Sequence, residues 1–450
     1  MKKHLFDEFE NVSPQTWKTK IQADLKGASY NETLLWKTNE GITVKPFYTE
    51  EDRTLDQIDL PKNGFKICQT IEVSKVKEAN YLAIDALKRG ANSLEFILRE
   101  PVNIKTLLAN IETKDVLVFF KLQFLSSEFT KKISKYVDTK NCFFNIDIIG
   151  NFSSTGNWFH NYKADHQEIK NILEETNNFL AVNTSIYQNA GANIPQQLAY
   201  SLAHANEYLN YFGPEIAKHI HFNVAIGNNY FFEIAKLRAL RLLWKSLLNE
   251  YNSQETRALI FSKPSLRNKT LYDYNVNMLR TTSECMSGIL GGSDVISNQP
   301  YNKTFQKSDE FGERISRNQL LILQQESKLK EAQNIADGTY YIENITRQLA
   351  SKSLDIFKQI EKGGGFLKLL KHGVIQKKIK ESARKEQEQF NNEEFILLGT
   401  NKIQNPNDKM GTIINSNSFV KSRKEKTLIE PIIQYRLAEQ LEKNRLKKES

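Results

Sequence analysis

The sequence predicts an α/β fold, a closed (β/α)8 or TIM barrel, and three observations predict it. Eight short runs rich in β-branched or aromatic residues recur between residues 65 and 301. Between most of them lie stretches with apolar residues at steps of three or four, the spacing of one buried helix face. The repeating units fill roughly 270 residues, the size of such a barrel. Strands joined through amphipathic helices form right-handed crossovers and hence a parallel sheet. An open doubly wound sheet is the alternative. It announces itself with a Gly-rich phosphate turn after its first strand, and Val73-Ser74-Lys75-Val76 is not one.

The elements follow in order. Residues 1–60 form an N-terminal arm with one short helical pattern, Pro14–Ile21, in which Ser13 is a plausible N-cap before Pro14. Trp36, Phe47 and Tyr48 sit among polar residues, on a segment too short for its own core. They need a partner surface or the main body to bury against. Residues 61–330 hold the barrel. Its strands are Phe65–Val73, Ser93–Leu98, Asp115–Gln123, Cys142–Ile148, Phe179–Tyr187, Ile220–Gly227, Ala258–Ser265 and Ser293–Tyr301. Its helices include Lys75–Gly90, Ile194–Phe212, Asn229–Tyr251, Val276–Leu290 and Phe311–Ser327. Residues 331–450 are a C-terminal extension of helices and a basic linker or tail. A helix over Ile342–Glu361 stops at Gly363-Gly364-Gly365, because glycine costs about 1 kcal/mol against alanine inside a helix. A phosphate cradle is the sharper reading of that triplet, but no Lys-Ser/Thr follows. A linker and a terminal helix over Leu428–Leu441 end the chain.

Composition excludes several classes. The hydrophobic share of 40% suits a large core and the charged share of 26% an ordinary globular protein. The longest clean apolar runs, such as Val116–Phe120, fall far short of the roughly 20 residues a membrane span needs. The N-terminus turns acidic before any apolar stretch, so no signal peptide is expected. Cys68, Cys142 and Cys285 are scattered and odd in number, which fits a reducing cytoplasm better than disulfides or a cysteine zinc site. The net charge is +9, yet the first 361 residues are almost neutral and the excess lies beyond them. That basic stretch alternates with glutamates and lacks interleaved aromatics. It reads as a solvated helix face rather than a nucleic-acid surface.

Barrel chemistry sits at the C-terminal ends of the strands. There the sequence offers Ser74, Lys75, Arg99, Glu100, Gln123, Gly150, Asn151, Tyr187, Gln188, Asn228, Asn229, Lys263, Ser297 and Gln299. With one carboxylate and no histidine, this set supports neither a glycosidase pair nor an ordinary acid–base system. His219 and His221 share one face of a strand, but no Asp or Glu follows them, so packing outweighs a metal pair. Cys285, on a helix, reads as an inert core thiol.

Several runs in order resemble the small, β-type subunit of methylmalonyl-CoA mutase. They are Phe6-Asp7-Glu8-Phe9 with Trp17, Ala79–Ala83 before Leu87–Ala91, and Gln188-Asn189-Ala190-Gly191-Ala192. Phe222–Gly227 with Asn229–Ala239, Tyr274–Thr282 leading to Gly291–Asp294, Arg314–Gln319 with Gln325–Ser327, and Gly338–Glu343 follow. The family fold is a barrel of the kind already inferred. Catalytic chains of that family interconvert succinyl-CoA and (R)-methylmalonyl-CoA with adenosylcobalamin, which supplies the radical chemistry. Two of their features are missing here. Asp165-His166 is adjacent, where the cobalt-binding loop reads Asp-x-His-x-x-Gly, and the stretch Arg436-Leu437-Ala438-Glu439 resembles the linker that precedes the cobalamin domain. The Tyr-His pair before Gln-Glu-Ala-Gly-Ala aligns with Ser185 and Ile186, and isoleucine has no donor for a thioester carbonyl. The resemblance therefore implies a cytoplasmic chain without catalytic, cofactor or metal residues of its own, inactive alone. It would pair with a large subunit that holds adenosylcobalamin. Tyr187, Gln188, Asn223, Lys263 and Arg280 would be the remains of a barrel-mouth pocket. A stand-alone acyl-CoA-binding barrel enzyme acting through Lys263, Tyr187 or Arg280 is the alternative.

Overall fold

A computed structural model describes residues 8–449 except 11, 54–57, 174, 175, 177, 254–256, 308, 332, 333, 415–417 and 421–424. Phe6 and Asp7 of the first resemblance run thus lie outside the described residues. A small antiparallel hairpin, β1 (Trp36–Lys37) and β2 (Thr43–Val44), belongs to the arm. Eight parallel strands follow: β3 (Lys66–Glu72), β4 (Ser93–Leu98), β5 (Leu117–Leu122), β6 (Cys142–Phe144), β7 (Leu180–Asn183), β8 (Ile220–Ile226), β9 (Ile260–Pro264) and β10 (Val295–Ile296). Their order is β6-β5-β4-β3-β10-β9-β8-β7. The two ends meet where Phe144 N donates to Asn178 O (2.9 Å) and Ala181 N to Ile146 O (2.8 Å), so the barrel closes.

Each predicted strand has a counterpart, and so do the predicted helices. Ile194–Phe212 has the expected ends because its caps are strong. Asn193 and Gln196 form a capping box, Pro195 sits in the first turn, and Gly213 closes the helix at φ +85°. Outward strand residues such as Leu94, Phe96, Phe120, Phe144 and Val182 pack against the helices in one core.

Five expectations need correction. The strands predicted over Cys142–Ile148 and Ser293–Tyr301 are confined to Cys142–Phe144 and Val295–Ile296. The strand predicted to Tyr187 stops at Asn183, and Ser185–Asn189 is a short helix. The helix predicted over Phe311–Ser327 is α-helical only from Glu310 to Leu321 and then widens to a π-turn over Ile322–Glu326. There Ser327 N reaches back to Ile322 O (2.9 Å). The terminal helix spans Glu439–Leu446 rather than Leu428–Leu441. Pro431 cannot donate within a helix. The amides of Leu428, Ile429, Ile432, Tyr435 and Leu437 instead bond carbonyls of the segments that follow β6, β7 and β9.

The glycine triplet ends the helix Tyr340–Lys362, with Gly364 and Gly365 at φ +100° and +93°. Glu207 Oε1 accepts the Leu367 amide at 2.9 Å and lies 2.8 Å from where a Cβ on Gly365 would stand. A carboxylate of the chain itself caps that amide, the role the cradle reading gave to a phosphate. The arm lies on the body through Trp36 against Phe232 (5.8 Å) and Tyr48 against Tyr341 (5.2 Å). Among the described residues no helix is long and apolar enough to cross a membrane.

Candidate functional site

Alternate strand residues face the barrel axis. In its lower half they are apolar: Cys68, Leu117, Phe119, Phe143, Leu259, Phe261 and Val295 form one cluster. The ring of Phe119 stacks on Phe143 and tilts on Phe261, both at 4.8 Å between centroids. His221 stands edge-on to Phe119 (6.2 Å) and Phe143 (5.7 Å). Burial among these rings drives its imidazole pKa down to about 3, so the ring is neutral. Three phenyl rings therefore block the barrel axis.

A polar layer rests on this floor. Glu95, mid-strand and almost fully buried, is ion-paired with Lys263. It also accepts from Thr70 Oγ1 (2.8 Å) and Asn145 Nδ2 (3.2 Å). Burial would raise this carboxyl, but Lys263 and Lys121 outweigh it and hold the group below its ordinary value. Asn145 Oδ1 accepts from His221 Nε2 (2.6 Å) and Asn223 Nδ2 (3.3 Å). Thr70 and Ser297 hydroxyls meet at 2.9 Å.

Beside this layer, Asp147 ties the strand ends to the helices. It caps the helix Ile148–Thr155 through the Gly150 amide (2.7 Å) and accepts the Asn183 amide (2.9 Å). His204 Nε2 and Tyr208 OH each reach its Oδ1 at 2.9 Å, and His204 Nδ1 meets Tyr187 OH at 2.9 Å. Burial favours the neutral acid, but His204 and the two amides hold the carboxyl below its usual value. His204, Tyr208 and Tyr187 are fully buried and the Asp147 side chain is only 9% exposed, so this chain of bonds is a structural pin.

The residues singled out from the sequence are dispersed. Asn223 and Lys263 lie together in the polar layer. Tyr187 is fully buried on the pin. Gln188 accepts from Lys236 Nζ (3.1 Å) and lines a crevice of about 310 Å³ shared with Trp36, Arg267 and Glu386. Arg280 holds the C-terminal extension, donating to Thr270 Oγ1 (2.8 Å), Asn277 Oδ1 (2.9 Å) and Leu398 O (2.8 Å). Gly150 and Asn151 lie on a helix, because Asp147 ends the extended backbone and starts that helix. Ile186, where the resemblance implies a histidine, is buried. The His-x-His expectation changes too. His219 ends a 3-10 turn and packs on Phe179 (5.0 Å), while His221 lies in the barrel interior. Cys285 is buried, and burial raises its thiol pKa well above normal. Glu95, Asp147, Lys121 and His204 were missed because a scan of strand ends skips mid-strand, capping and helix positions. The alternation of Ser93-Glu95 and of Phe119-Lys121 was the signal for two of them.

The rim is partly covered by residues 427–449. Their backbone bonds Gly156 O and Ser153 O after β6, Asn189 O after β7 and Arg267 O after β9. Glu442, fully buried, then accepts the Leu271 amide (2.7 Å) and pairs with Arg436. The only adjacent Asp-His pair is committed to its own helix. Asp165 accepts the amides of Phe159 (2.8 Å) and His160 (3.0 Å), and His166 Nδ1 meets Tyr162 O (2.7 Å). Neither residue matches the loop imidazole that the resemblance implies for a cobalamin-binding chain.

Comparison with known proteins bears on this arrangement. The family model described as methylmalonyl-CoA mutase matches residues 130–446. The chain is 35% identical to the methylmalonyl-CoA mutase small subunit of Porphyromonas gingivalis, over 90% of this chain and 72% of that one. It is 28% identical to a methylmalonyl-CoA mutase of Cereibacter sphaeroides, covering 86% of this chain and 64% of that protein. Against the large subunit from Porphyromonas gingivalis the identity is 28%, over 58% of this chain and 39% of that one. The chain thus spans less than two thirds of the length of the latter two. Among solved structures, a truncated 3-deoxy-D-arabino-heptulosonate 7-phosphate synthase from Thermotoga maritima aligns at a TM-score of 0.35 and 12% identity. It covers 64% of this chain and 92% of that one, a likeness too distant to carry argument. The family match and the small-subunit relative together establish that the chain belongs to the methylmalonyl-CoA mutase family.

Proposed function

We propose that the chain is the small, non-catalytic subunit of a heterodimeric, cytoplasmic methylmalonyl-CoA mutase. The large subunit would hold adenosylcobalamin and interconvert succinyl-CoA and (R)-methylmalonyl-CoA. One observation carries the reading: Phe119, Phe143 and Phe261 stack across the barrel axis, where a substrate reaching the barrel centre would have to lie. Buried Ile186, in the place of an expected imidazole, and a rim crossed by the chain's own residues 427–449 support it. Small and large subunits named from one organism support the pairing. Trp17 and Trp36 stay about half exposed while their arm lies on the body, which suits a surface that a partner completes.

Co-expression with the large chain of the same organism tests the proposal. The expected result is a one-to-one complex in which only the large chain carries corrinoid. Isomerisation of the thioester by the isolated chain, or a corrinoid retained on it, overturns the reading.

A further inference from the structure

The polar layer carries more positive than negative charge. Glu95 is paired with Lys263. Lys121 lies two residues beyond Phe119 on the same inward face of β5, and among the described residues it has no ion pair or hydrogen bond. The other carboxylate that feels Lys121 is Asp147, which is spent on His204, Tyr208 and two amides. The rim repeats the imbalance, since Glu72 meets Lys303 (3.0 Å) and Arg99 (3.6 Å) with Lys307 near. An uncompensated charge in a partly buried layer is costly unless something pairs with it, and burial accordingly lowers the Lys121 pKa despite the pull of Glu95.

Two acceptors in the same layer are also unmatched. Asn223 Oδ1 and His221 Nδ1 are buried without a hydrogen-bond partner, and His221 is more than nine-tenths buried. Their other polar atoms converge on Asn145 Oδ1, so both belong to this network. The layer is open to water, because the Lys263 side chain is 30% exposed. The backbone hydrogen bonds that residues 427–449 make to the barrel fall after β6, β7 and β9, away from the ends of β3, β4 and β5.

We propose that the barrel mouth binds one compact oxyanion that also carries a hydroxyl hydrogen, held between Lys121 and Lys263 with its hydroxyl on Asn223 Oδ1. Hydrogen phosphate and an α-hydroxy carboxylate share this chemistry. The site would be a ligand position on the small chain, separate from whatever the large chain binds, and it does not depend on the pairing proposed above.

Isothermal titration of the full chain with sodium phosphate and, separately, with sodium lactate tests this, with chloride holding ionic strength constant. Saturable one-to-one binding of either anion supports the proposal and identifies its source. Lys121→Met should then weaken that binding about tenfold or more, the loss of one charge-assisted contact. Lys303→Ala, at the exposed rim, should change it less than about threefold. Lys121→Gln takes the place of Lys121→Met if circular dichroism shows that the latter does not fold. Two results overturn the site: neither anion binds saturably beyond chloride, or the Lys121 variant binds as the parent does.

Discussion

At the scale of single residues, charge is concentrated inside the barrel, and its burial can be read in stability. Glu95 is 2% exposed at its side chain and Lys263 is its ion-pair partner. Lys263→Met leaves a buried carboxylate without that partner and should cost about 3–5 kcal/mol in urea denaturation. Adding Glu95→Gln should recover most of the loss, because an amide is far cheaper to bury. A double variant no more stable than Lys263→Met would show that the pair matters little. His221 offers a pH test. Its folded pKa is depressed to about 3, below the ordinary value near 6.5. The unfolded chain therefore binds a proton over that window that the native chain does not. Stability must fall as pH drops from about 6.5 toward 3, at about 1.4 kcal/mol per pH unit for this group. His221→Phe, a ring suited to the phenyl floor, should lower the loss between pH 7 and 4.5 by about 2–3 kcal/mol. Equal pH slopes for parent and variant would contradict a buried neutral imidazole.

At the scale of elements, the clearest feature is the covering of the rim by residues 427–449. Five of their backbone amides bond the segments that follow β6, β7 and β9, and Glu442 anchors the end of the segment. Glu442→Ala removes the acceptor for Leu271 N and leaves Arg436 without its ion-pair partner. The segment should then detach by about 3 kcal/mol. The amides of Leu428, Ile432 and Leu437 should exchange roughly a hundredfold faster, while β4 and β5 keep their protection. Unchanged exchange would mean that the backbone bonds alone hold the segment. Local pattern favours a helix over Leu428–Leu441, since Ile432, Ile433 and Leu437 mimic a helix face. What decides the matter is tertiary: the carbonyls of Ser153, Asn189 and Arg267 compete for those amides. Ile194–Phe212 shows the opposite case, with both ends set by local residues.

At the scale of the whole molecule, the barrel was visible in the sequence because strand and helix periods alternate along it. Its interior was not, because alternation does not say which face is inward or how high on the axis a residue sits. Lys263 is legible because it lies near the mouth end of its strand, whereas Asn223, at mid-strand, is reached only through the resemblance. Glu95 escapes a reading of strand ends because it lies deeper, His221 reads from sequence only as a packing residue, and Arg280 stands out although it braces a loop. The same geometry makes the phenyl floor a matter of stability rather than of ligand contact. Phe119 is fully buried between Phe143 and Phe261, with Cys68, Leu117, Leu259 and Val295 around it. Phe119→Ala should cost about 3–5 kcal/mol, since transfer and cavity terms add. The space left would be apolar and dry, so benzene should occupy it. A ligand that binds only the folded state raises its stability by mass action. Benzene-saturated buffer should therefore raise the melting temperature of Phe119→Ala and leave the parent chain unchanged. A variant that loses little stability and ignores benzene would mean that the rings do not fill the axis, and with that the main support for a barrel closed to substrate would be gone.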